Sequence, residues 1–157
     1  MALAYVLNMD TFFYLSANSP KALFYMDIFN VLKTYAEQIG GTFSDYDHTK
    51  AIVVVPLPNG RFQTVLALLD TSKTSGKQRI VFTSKVADYN NLIDARELLE
   101  KNGLFDYSKF IVDDGQLKVV ASGLAQSVSE DDVKLMVQEV AQLADHYEFK
   151  LTGKDIH

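Results

Sequence analysis

Hydrophobic positions along the chain follow two different periods, and the changes from one to the other predict its elements. Leu23/Phe24, Ile28, Val31/Leu32, Tyr35 and Ile39 recur at three-to-four spacing, which lays one apolar stripe along a helix. Ser19-Pro20 supplies an N-cap and a first helical residue, and Gly40-Gly41 a left-handed stop. A helix with one apolar stripe needs a sheet to lie on. Thr42–Asp47 then reads as a short strand and His48-Thr49-Lys50 as a turn. Ala51–Leu57 (AIVVVPL) is β-branched enough to be a strongly buried strand. Pro58-Asn59-Gly60 carries the positive-φ residues of a tight reversal, and Arg61–Leu69 returns antiparallel. The polar tract Asp70–Gln78 is a loop, and Arg79–Val86 alternates as a fourth strand with Ile80 and Phe82 on one face.

Helical spacing returns over Asp88–Asn102, where Leu92, Ala95 and Leu98/Leu99 form the stripe, Glu97 and Lys101 a four-spaced ion pair, and Gly103 the stop. Phe110–Asp113 and Gln116–Ser122 flank Asp114-Gly115, the strongest hairpin signal in the chain. A last helix begins at Ser129, capped reciprocally with Asp132, and Glu130, Asp131 and Asp132 favour the positive end of its dipole. Val133, Met136/Val137, Val140, Ala144 and Tyr147 carry its apolar stripe. The order is helix, about four antiparallel strands, helix, hairpin, helix. This is an α+β layout with three helices packed on an antiparallel sheet, not the strand–helix alternation of a parallel nucleotide-binding sheet. It divides into an apolar extension (residues 1–19), one α+β domain (20–151) and a short tail (152–157), without internal repeats or linkers.

The extension changes the picture of the surface. Leu3, Tyr5, Val6, Leu7, Phe12, Phe13 and Tyr14 make Met1–Leu15 greasy, but no Lys or Arg precedes Lys21, and Asn8 and Asp10 interrupt the run. A secretory signal needs a basic start and an unbroken apolar stretch, and a spanning helix about 18 apolar residues. A cytoplasmic location is therefore expected. Residues this apolar call for cover, by the domain's own sheet or by a second subunit.

Composition mostly excludes. The 157 residues, 48% hydrophobic and 22% charged, fit one soluble globular domain. With no cysteine, disulfide frameworks, thiol nucleophiles and iron–sulfur ligation fall away. A net charge of −5 argues against a general nucleic-acid binder, which needs a cationic footprint. Thr71–Gln78 contains a Gly-Lys pair, yet Thr71 and Gln78 stand where a phosphate-binding loop needs Gly and Ser or Thr. His48, His146 and His157 lack ligand partners at metal-binding spacings. Starting a calcium loop at Asp45 puts Lys50 sixth, where it repels the ion, and no first ligand precedes Gly115. No Gly-x-Ser-x-Gly elbow is present. No catalytic residue, cofactor or metal is assigned, and the expectation is a protein that is not an enzyme. Charge is shared unevenly: acidic clusters (Asp45/Asp47, Asp113/Asp114, Glu130–Asp132) sit at element ends, and Lys73, Lys77 and Arg79 gather at one loop. Solvated loops account for these clusters, and the functional alternative is steering of a basic partner segment.

The hairpin Phe110–Asp114 with Gly115–Val120, the capped Ser129-Glu130-Asp131-Asp132-Val133, and the ending Ala141–Leu151 with its Ala-Asp-His-Tyr core resemble the YbjN-like family of small bacterial proteins. That family shares its fold with type III secretion chaperones, and the likeness spans roughly Pro20 to Leu151. The resemblance implies a homodimeric, acidic, cytoplasmic protein that acts by binding an extended segment of another protein, in a chaperone-like or regulatory role. The chain departs from it by an additional strand before the second helix and by the apolar extension. The second helix and preceding strand, with Phe82, Leu92 and Leu98, are the expected dimer surface. The alternative to protein binding is a small-molecule pocket between helices and sheet.

Overall fold

A computed structural model describes residues 20–153, with side chains from residue 28 onward. The apolar extension and the last four residues of the tail lie outside the described residues. The elements are α1 (Pro20–Gln38), β1 (Thr42–Asp47), β2 (Lys50–Pro56), β3 (Phe62–Thr71), β4 (Gln78–Asp88), α2 (Ala95–Lys101), β5 (Ser108–Asp113), β6 (Gln116–Leu124) and α3 (Glu130–Thr152). All six strands form one antiparallel sheet in the order β1-β2-β3-β4-β6-β5. The fold is α+β with three helices on an open sheet.

The turn chemistry accounts for the strand register. Asn59 and Gly60 both adopt positive φ (66° and 74°) and return β2 into β3, and Asp114 and Gly115 (51° and 70°) close the β5–β6 hairpin. These left-handed pairs match the twist of the strands they join. Pairing of β6 with β4, Phe82 opposite Ala121, then brings the hairpin into the sheet. Successive side chains on a strand point to opposite faces, so the register sorts the sheet into two surfaces. Ala51, Val53, Val55, Val65, Ala67, Ile80, Phe82, Val119 and Ala121 face the helices and are buried. Leu32 and Ala36 of α1 and Val133, Met136, Val137, Val140, Ala141 and Ala144 of α3 complete that core. These side chains form one buried cluster, and at one end of the layer a pocket of about 360 Å³ opens between β4 and α3, lined among others by Val86, Ile93, Glu148 and Thr152.

Helix ends follow the sequence signals at α3 and depart from them at α2. Ser129 and Asp132 form the predicted capping box, and Gly153 ends α3 in the left-handed conformation. The helix predicted over Asp88–Asn102 is shorter. Tyr89 N–H bonds to the Gly115 carbonyl beside the hairpin turn, β4 runs to Asp88, and the Asn90 side chain accepts the Leu92 N–H in a turn. Asp94 is the N-cap, accepting from the backbone N–H of Arg96 and Glu97. A capping carboxylate holds a helix start better than an unsatisfied first turn does, so the helix begins at Ala95.

One close approach fixes where α1 meets β2. A Cβ on Gly41 would collide with the Val54 carbonyl oxygen and lie 3.1 Å from Pro56 Cδ. Gly41→Ala is expected to cost about 1–3 kcal/mol by forcing backbone apart, measured as a lower urea midpoint at unchanged m-value.

Candidate protein-binding surfaces

Of the three residues expected at a dimer surface, two point inward. Phe82 is fully buried on β4 under α3, and Leu98 is 6% exposed within the core. Leu92, in the turn before α2, is 95% exposed. The same segment exposes two further leucines, Leu99 (69%) and Leu104 (77%). Adjacent helical residues lie about 100° apart, and in this short helix Leu98 takes the core side while Leu99 turns outward. Charges around these leucines are balanced: Arg96 bonds Glu100 at 2.9 Å, and Lys101 lies 3.7 Å from Glu97. Glu97 also takes Lys150 of α3 at 2.9 Å, which ties α2 to the end of the long helix.

The second surface is the sheet face turned away from the helices. Pairing across the strands aligns Ser44, Ile52, Leu66, Thr83, Val120 and Lys109 in one row. The flanking rows carry Val54, Thr64, Lys85, Lys118 and Ile111, and Lys50, Leu68, Val81 and Ser122. Ile52, Val54, Leu66, Leu68, Val81 and Ile111 are half-buried, in contrast to their neighbours on the helix side. A groove of about 430 Å³ crosses this face, lined among others by Ile52, Thr64, Leu66, Thr83, Lys85 and Lys118. The sheet edges are β1 and β5. Edge strands carry unpaired backbone groups to which an extended segment can add.

Polar networks hold the frame beneath these surfaces. Arg61, just before β3, bonds the buried Asp145 of α3 at 2.8 Å and lies over the Phe149 ring. Gln63 donates to Ser84 Oγ, which itself donates to the Thr64 carbonyl. The Glu139 carboxylate accepts the backbone N–H groups of Asp106, Tyr107 and Ser108, pinning the approach to β5 onto α3. Tyr107 donates to Asp132 at 2.8 Å, which extends the α3 capping box to the same loop. Hydrogen bonds from the Ser129 backbone and hydroxyl and from Tyr107 hold the Asp132 carboxyl below its ordinary value. The bond to Asp132 raises the Tyr107 phenol.

These groups are engaged in structure. The Gly-Lys loop closes on itself through Ser72 N–H to the Lys77 carbonyl and Gly76 N–H to the Ser72 carbonyl. His48 occupies the β1–β2 turn, whose Asp47 accepts from Thr49, and His146 is an exposed α3 residue edge-on to Tyr147. Among the described residues, no three metal-ligating side chains come together, and no helix is long and apolar enough to cross a membrane.

The class defined by this frame is the secretion-chaperone-like fold. The chain superposes on a chain of the ExsC–ExsE complex with a TM-score of 0.55 and 17% identity, covering 80% of this chain and 93% of the other. It also superposes on a chain of the heterodimeric ExoU–SpcU complex of the Pseudomonas aeruginosa type III secretion system, with a TM-score of 0.53 and 14% identity, covering 78% and 98%. No protein-family model matches the chain, and no curated protein matches it in sequence. The expected likeness to secretion chaperones thus holds for the fold.

Two measurements check this placement. Phe82→Ala is expected to cost about 3–5 kcal/mol, as a cavity in a closed core does, whereas Leu92→Ala stays within about 0.5 kcal/mol. Thermal melts as a function of pH check the second. Asp47, Asp70, Glu97 and Asp132 all have carboxyl pKa values lowered by hydrogen bonds. A group whose folded pKa lies below its unfolded value stabilises above the unfolded value and loses that contribution as pH falls through the folded one. The melting temperature is expected to fall on acidification below the ordinary carboxylate range, and less steeply in Asp132→Asn.

Proposed function

We propose that this protein is a non-enzymatic, chaperone-like or regulatory binding module that acts as a homodimer and holds an extended segment of a partner protein. Support comes first from the fold, which it shares with chains of two protein–protein complexes. The observation that carries the reading is apolar surface left outside the core in two separate places, the leucines around α2 and the open face of the sheet. Large apolar side chains left open to solvent in groups mark interaction sites. The α2 surface, with exposed Leu92, Leu99 and Leu104 and equal numbers of acidic and basic residues on the helix, suits a second copy of itself. A self-complementary two-fold contact brings the same patch from both subunits together, and balanced charge avoids repulsion there. The partner segment is left to the sheet and its edges, where strand addition supplies backbone hydrogen bonds. A cytoplasmic location and kinship with the YbjN-like family belong to the same reading.

Sedimentation velocity at micromolar concentration tests the assembly. The full chain is expected to run as a dimer and Leu99→Glu as a folded monomer, since a desolvated carboxylate is costly at an interface. A strictly monomeric wild-type chain would overturn the homodimer.

A further inference from the structure

The open sheet face is apolar at its centre and basic around it, and protein binding in general does not account for the second property. Lys50, Arg79, Lys85, Lys109 and Lys118 share this face with the carboxylates Asp47, Asp70, Asp88 and Asp113, whereas the whole chain carries more acidic than basic residues. The cations are concentrated where Lys85 and Lys118 meet.

Three of the cations already have partners, at the strand ends. Arg79 bonds Asp70 at 2.9 Å, Lys85 bonds Asp88 at 2.8 Å and Lys118 bonds Asp113 at 2.7 Å. The three carboxylates are 50%, 82% and 62% exposed. Pairs so open to water are worth at most about 1 kcal/mol, so an incoming carboxylate can replace or share them at little cost. Lys85 and Lys118 stand directly opposite one another on β4 and β6. Like charges at that position repel, and an anion between them relieves the repulsion. Both line the groove that contains Ile52 and Leu66, and Thr83, in the same groove, has a hydroxyl without a hydrogen-bond partner.

We infer that this face docks an acidic, amphipathic segment of a partner protein, its apolar side chains over Ile52, Leu66, Leu68 and Val81 and its carboxylates at Lys85 and Lys118. The inference rests on the protein-binding reading and specifies the chemistry of the partner. Charge decides against the two other occupants. A second copy stacked on the same face would set these lysines against themselves, and like-charge contacts across an interface cost several kcal/mol. The chain's own residues 1–19 carry one acidic residue, Asp10, too few to meet both Lys85 and Lys118.

Fluorescence anisotropy of the full chain with a labelled alternating Glu-Leu peptide of about ten residues, the length of a long strand, tests this. Saturable binding is expected, weakened by added salt. Lys85→Glu/Lys118→Glu, with circular dichroism as the check that the variant folds and Lys109→Glu at the exposed edge strand as a second variant, is expected to weaken it about tenfold or more. An alternating Lys-Leu peptide is expected not to bind. Equal binding of polyglutamate, or none of the Glu-Leu peptide, would overturn the inference. With benzoylphenylalanine in place of Lys109, photo-cross-linking to the peptide supports it, and cross-linking to residues 1–19 or to a second copy in its place overturns it. Sedimentation of the same samples separates the two failures: a dimer that does not bind the peptide removes the docking chemistry alone, and a monomer removes the assembly beneath it.

Discussion

The structure depends on the burial of one sheet face beneath α1 and α3. Phe82 lies at its centre, on the strand that β3 and β6 flank, and α3 crosses above it with Val137, Val140, Ala141 and Ala144 fully enclosed. Everything else is arranged around that contact. Arg61–Asp145 and the Glu139 carboxylate lock α3 to the sheet at two places along its length. A six-stranded sheet has two faces, however, and all of this packing is spent on one. The same constraint that closes the core therefore leaves β-branched and leucine side chains on the reverse side, where polar residues would ordinarily stand.

Most of this frame was legible in the sequence because its signals are local. The Asn59-Gly60 and Asp114-Gly115 turns fix their strands through φ alone, and the Ser129–Asp132 box fixes the start of α3 through hydrogen bonds three residues apart. The apolar stripe of α3 identified its buried face residue by residue. The failures are at positions where local pattern and tertiary context compete. Asp88 to Ile93 has a helical spacing of apolar residues, but the β4 backbone continues to pair with β6 as far as Gln116, and Asp94 offers a better cap. That contest is settled by strand pairing across nearly thirty residues of sequence, which no window on the chain can see.

The candidate surfaces were less legible for a related reason. Phe82 and Leu98 were marked by their hydrophobicity, and hydrophobicity does not say which side of a strand or helix meets the core. Leu92 was marked and is exposed, and Leu99 and Leu104, which are exposed beside it in the chain, were passed over. Lys85, Lys109 and Lys118 are scattered over thirty-four positions and become a cluster only when β4, β6 and β5 are laid side by side. Charge counted along the chain gave an acidic protein, whereas the sheet sets Lys85 and Lys118 side by side in one groove.

The position of α3 in the chain has a consequence for how this protein is made. Among the described residues every strand precedes α3, so during synthesis the six strands leave the ribosome before the helix that seals them. Until Val133 to Tyr147 arrive, Phe82 and its neighbours are as open as the reverse face remains afterwards. A nascent chain of this design passes through an interval with two adhesive surfaces instead of one, and completing the last helix is the step that gives it a defined inside.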